Sequence, residues 1–209
     1  MTVWNKQVFK QNEEDLKTAS SPWVDDGGKV MKVPFDKSTG ALITVTYEHH
    51  EIHDGGSYRA SHSAAGGSGT KATVSFKTPD TSKWLHVVIG ARSNVEAIYT
   101  LGEAATVTAS SGSDYAPRNR NRNSTNTSGV SGAGSAGGAG NCTIGATVTG
   151  FGTVLEVIHF GDGKKAGGDT RGSAEWILKP NTVYAAEVES QAVTSEVSID
   201  IDWYEHTNR

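Results

Sequence analysis

The stretch Val193-Thr194-Ser195-Glu196-Val197-Ser198-Ile199-Asp200-Ile201-Asp202-Trp203-Tyr204 decides the fold. From Val197 onward apolar and polar residues alternate, and an extended backbone sends successive side chains to opposite faces. Val197, Ile199, Ile201 and Trp203 therefore share one face, while Ser198, Asp200, Asp202 and Tyr204 share the other. Such a face requires a second apolar layer to cover it.

Working back along the chain, candidates for that layer recur. Thr182–Ser190, Ser173–Leu178, Val154–Phe160 and Cys142–Thr149 read as strands, as do Ala104–Ala109 and Val95–Leu101, parted by a turn at Gly102. Trp84–Ala91 is a continuous apolar run, suited to a strand buried on both faces or to a short helix. Lys71–Lys77 alternates through Ala72, Val74 and Phe76, and Leu42–Tyr47 is the earliest clear strand. About eight to ten strands with little helix predict an all-β fold, a β-sandwich or jelly roll spanning residues 41–209. Within it, residues 128–141 are almost wholly Gly, Ala and Ser and read as a loop. Residues 1–40 read as an extended N-terminal arm. Trp4 and Trp23 are large apolar groups there without a periodic setting, and suit anchors that grip a neighbouring subunit.

The 209 residues suit one domain with an appendage and are long enough to bury a core. A net charge of −4 argues against general nucleic-acid binding. No stretch approaches the roughly eighteen apolar residues of a membrane helix. Residues 1–30 hold no apolar h-region, so the expectation is synthesis in a cytoplasm without a secretory signal. Cys142 is alone, which rules out an internal disulfide framework.

Against this background Arg118-Asn119-Arg120-Asn121-Arg122-Asn123-Ser124 stands out. As an extended strand it would line three guanidiniums along one side, roughly 7 Å apart, and three amides along the other. Interleaved aromatics for nucleic acid are missing; only Tyr115 is close. The reading is a seam between protein subunits, with Arg118, Arg120 and Arg122 and the amides of Asn119 and Asn121 in contact with a partner; the alternative is a solvated loop.

The densest polar cluster is Glu48-His49-His50-Glu51-Ile52-His53-Asp54, followed by Gly55-Gly56. If the strand from Leu42 continues, His49, Glu51 and His53 project to one face, a set that zinc or iron accepts. In a helix His49 and His53 stand at i, i+4, but the order does not match H-E-x-x-H. The plain alternative is a polar strand end running into a turn. Catalytic signatures are missing: no G-x-S-x-G elbow surrounds a serine, Cys142 has no local motif, and the Gly161–Lys165 and Gly167–Asp169 turns lack the acidic positions of an EF-hand loop. The sequence therefore predicts no enzyme.

Tyr47–Asp54, Phe76–Asp80 leading to Trp84-Leu85-His86, Arg118–Ser124, and Leu178–Thr182 through Trp203-Tyr204-Glu205 together resemble virion structural proteins of tailed double-stranded DNA phages, most of all the capsid decoration, or cement, proteins. That resemblance implies β-sandwich or jelly-roll subunits forming homo-oligomers, trimers more than dimers, on the outer surface of the capsid. There they would clamp the major capsid protein lattice against internal DNA pressure. It implies a virion protein made in the host cytoplasm, without catalysis, required cofactor, or binding to nucleic acid or membrane. A tail-associated receptor-binding or glycan-binding β-sandwich, presenting the loop 54–69, is the alternative.

Overall fold

The computed structural model describes residues 22–24, 30–32, 47–134, 140–161, 168–171 and 175–207. The chain divides into two compact units, residues 1–46 and 47–209. In the first, β1 (Pro22–Val24) and β2 (Val30–Lys32) form an antiparallel pair with Trp23 opposite Met31. Trp4 and the strand expected over residues 42–46 lie outside the described residues.

The second unit opens with its one described helix, α1 (Tyr47–Asp54), followed by β3 (Ser57–Gly66), β4 (Lys71–Lys77), β5 (Lys83–Ser93) and β6 (Ala97–Glu103). Short segments come next: β7 (Thr106–Val107), β8 (Ser113–Tyr115), β9 (Arg118–Asn119), β10 (Ser131–Gly132), β11 (Cys142–Ile144) and β12 (Val148–Gly150). The chain finishes with β13 (Thr153–Phe160), β14 (Gly168–Arg171), β15 (Trp176–Leu178), β16 (Val183–Ser190) and β17 (Ser195–Thr207).

The long strands cross repeatedly between two antiparallel sheets. One runs β14-β5-β17-β3-β9, with β15 also on β5; the other runs β13-β6-β16-β4-β11-β8, with β10 also on β4. The fold is an all-β sandwich, and its register follows the alternation of the final strand. Val197, Ile199, Ile201 and Trp203 are buried against Val74 and Phe76 of β4 and Tyr184, Ala186 and Val188 of β16. Phe76 stacks on Trp203 with centroids 5.9 Å apart and on Tyr184 at 6.3 Å, joining the layers through three rings.

Three expectations change. Residues 54–69 are not a display loop: β3 pairs residue for residue with β17 from Ser57↔Tyr204 to Ser195↔Gly66. Its Ser- and Ala-rich composition carries little β signal, and pairing with β17 along its whole length holds it in the sheet. The run Cys142–Thr149 breaks into β11 and β12. Residues 128–134 are bound into the sandwich, with Val130 fully buried and Ser131–Gly132 paired to β4.

Candidate functional site

The segments singled out in the sequence meet at one end of the sandwich. The His/Glu cluster forms α1, whose exit is fixed by two glycines. Gly56 N–H donates to Glu51 O at 2.9 Å and Gly55 N–H to Ile52 O at 3.1 Å, a Schellman closure with Gly55 at φ 73°. Here a side chain is barred twice, by the left-handed backbone and by Ser124, whose Oγ would lie 2.3 Å from an added Cβ.

The last carbonyls of a helix have no partner within it. Asparagines from the Arg/Asn segment and its continuation supply donors. Asn121 Nδ2 reaches His53 O at 2.9 Å, Asn126 Nδ2 reaches Asp54 O and Gly55 O at 3.3 Å, and buried Asn119 Nδ2 reaches Gly55 O at 2.9 Å. Asn119 also donates to Asn126 O at 3.2 Å and accepts from Asn121 N–H at 2.9 Å, so the loop is tied to itself as well as to the helix.

The row of three guanidiniums does not form. Only Arg118–Asn119 is strand, paired with Arg59–Tyr58, and the chain then turns, with Ser124 N–H bonding Asn121 O at 3.0 Å. Arg118 lies over the Tyr115 ring at 5.8 Å. Arg120 pairs with Glu48 at 2.6 Å, and Arg122 donates to Asn119 O at 3.4 Å. The amides are turned inward by the helix carbonyls, and that requirement overrides simple alternation. Asn119 and Asn121 thus act within the chain; of the arginines, Arg118 and Arg122 remain exposed and Arg120 is half-buried.

The metal triad that His49, Glu51 and His53 would make, the less favoured reading of the cluster, needs a strand, and the helix breaks it. His49 and His53 share a face with Nε2 atoms 2.9 Å apart, while Glu51 turns inward and is 7 % exposed. Among the described residues, no three metal-ligating side chains converge.

Behind α1 lies a polar cavity of about 560 Å³, lined by Glu51, Asp54, Tyr58, Lys83, Asn126 and Glu205 together with neighbouring threonines and glycines. Glu205 is the tie that closes it. Its carboxylate accepts from Ser128 Oγ–H, from Gly129 N–H at 3.0 Å and from Trp203 Nε1–H at 3.1 Å, anchoring the Gly/Ala/Ser-rich segment to the final strand. Burial, and secondarily the Glu205 charge, push the Tyr58 phenol up to about 12, so Tyr58 stays a neutral donor.

Sequence reading missed the polar face of β17. Asp200 and Asp202 lie on the face opposite the apolar one, as alternation predicts, yet both are buried. Arg59 of β3 pairs with Asp200 at 2.9 Å and Asp202 at 3.2 Å, and Arg92 of β5 pairs with Asp200 from the other side. Gly90, across from Asp200, leaves the room: an added Cβ would lie 3.0 Å from the carboxylate. Pairing across registers two residues apart was the available signal, once β3 is recognised as a strand.

Further along the same face His86 stacks on Tyr204 at 4.7 Å and 14°, with His206 at 4.5 Å and Trp84 38 % exposed. No helix among the described residues is long and apolar enough to cross a membrane. No protein-family model, curated protein or solved structure matches the chain.

Proposed function

We propose that this chain is a non-catalytic structural subunit of a phage virion, a decoration protein that docks on the outer surface of the head and stabilises the major capsid protein lattice. The observation that carries this reading is the edge strand β13. It ends the larger sheet with β6 as its one strand partner among the described residues. Val154 and Val157 stand 50 % and 49 % exposed on it, while Leu155 and Ile158 pack on the core. An eight-residue edge with Val154 and Val157 facing outward is a template for another chain, and Glu156 with the irregular register between Val154 and Glu156 restricts where that chain can pair. A partner strand added there binds through main-chain hydrogen bonds, and repetition over a lattice multiplies a modest contact.

The test is binding of the purified protein to heads that lack it, followed by imaging. Saturable occupation of local symmetry axes, lost in Val157→Lys while the fold is retained, supports the proposal. Absence of binding to heads, with the protein located in tails, overturns it. A second reading, a glycan-binding tail module, is favoured by Trp84, 38 % exposed beside the half-buried His86–Tyr204 stack, because an exposed ring offers a sugar a flat apolar face. Quenching of tryptophan fluorescence by oligosaccharides, absent in Trp84→Ala, distinguishes it.

A further inference from the structure

His86 and His206 face each other across β5 and β17 with their Nε2 atoms 2.7 Å apart. The protonation of each ring is set by what its other nitrogen touches. His86 Nδ1 lies 2.8 Å from Glu175 Oε1, and His206 Nδ1 lies 3.2 Å from the backbone oxygen of Thr207. A carboxylate and a carbonyl are acceptors, so both Nδ1 atoms carry hydrogen. Two neutral rings held this way present lone pairs to each other. In that tautomeric state the two Nε2 lone pairs converge on a shared cation, a proton or a metal ion, in place of the neutral N–H···N bond that the other tautomer of one ring would make.

We propose that His86 and His206 form a two-imidazole site for a borderline divalent transition ion, copper(II) above all. Metal-ligating histidines characteristically give their second N–H to a carboxylate or backbone carbonyl, and Glu175 and Thr207 occupy those positions here. With metal–nitrogen bonds of about 2.05 Å, a 2.7 Å separation corresponds to a bite angle of about 82°. Opening to 90°, as square-planar copper requires, parts the nitrogens by only about 0.2 Å; tetrahedral zinc requires about 0.6 Å. On the His86 side a cavity of about 180 Å³, bordered by His86, Glu48, Arg120, Glu175 and Tyr204, has room for water. The exposed pair His49 and His53 has a similar separation and is the internal competitor.

The experiment titrates the full chain with copper(II), reading affinity by calorimetry and nitrogen ligation by electron paramagnetic resonance, with circular dichroism as the check of folding. One equivalent with two imidazole nitrogens is expected. His206→Gln should weaken it by tenfold or more, Glu175→Gln by about tenfold through the lost orientation of His86, and the double variant His49→Gln/His53→Gln should leave it intact. Unchanged affinity in folded His206→Gln overturns the proposal. So does loss of the copper signal in the helix double variant alone, or an imidazole pair that titrates with protons while binding no copper.

Discussion

Replacing Asn119 by alanine tests whether the Arg/Asn segment acts inside the molecule or between molecules. The side chain makes two donated bonds, to Gly55 O and Asn126 O, and accepts one from Asn121 N–H. Gly55 O keeps Asn126 Nδ2 at 3.3 Å, but Asn126 O and Asn121 N–H lose a partner at a site only 7 % exposed. At about 1 kcal/mol for each bond, the loss is about 2–3 kcal/mol, which lowers Tm by about 5–10 °C for a chain of this size. Asn119→Asp should cost at least as much despite its shape, because it turns a donor into a second acceptor against two carbonyls. Arg120→Ala should cost at most about 1 kcal/mol, since Arg120 and Glu48 are 28 % and 53 % exposed at the side chain. Equilibrium urea unfolding of the four proteins gives the order directly. The reasoning is refuted if Asn119→Ala lies within about 0.5 kcal/mol of the parent, or if Arg120→Ala costs more than Asn119→Ala. Dissociation of an oligomer by Arg120→Ala with stability unchanged would return the segment to a subunit seam.

Two further outcomes follow from buried groups. Asp200→Asn keeps the shape but leaves Arg59 and Arg92 without their shared charge; with both arginines 44 % exposed the loss should be about 2 kcal/mol in urea unfolding, and a stability equal to the parent would show that the pairs are ornamental. Burial pushes the Cys142 thiol up to about 12, so at mildly alkaline pH the folded protein should resist iodoacetamide and react only when unfolded; rapid labelling of the native state, read by mass spectrometry, contradicts that environment.

The strands with period-two alternation were legible because the period itself is the physical cause of their burial. Lys71–Lys77 forms with the expected bounds, and the inward set Val197, Ile199, Ile201 and Trp203 is buried as read. β3 was illegible for the opposite reason. Its Ser and Ala residues are placed by pairing with β17, more than 100 residues away, and contribute little local preference. α1 has the same character. Eight residues are too few for a helix stable by propensity alone. What holds them is the Gly55-Gly56 closure and three asparagine donors from residues 119–126, all but the glycines remote in sequence.

That dependence explains why the candidate site was half visible. The residue types were recognisable as unusual, but their partners decide what they do, and each partner arrives from another segment. Asn119 was read as an outward donor because alternation was assumed to continue past the strand. It ends after Asn119, where the unsatisfied carbonyls of α1 offer the amides a better use. The histidines divide in the same way: the pair adjacent in sequence lies on an exposed helix, whereas the pair with oriented second nitrogens is assembled from β5 and β17 across 120 residues. Proximity in sequence made His49 and His53, with Glu51, the metal candidates to weigh, and the reading favoured no metal there. Hydrogen-bond accounting of each imidazole points to His86 and His206 instead.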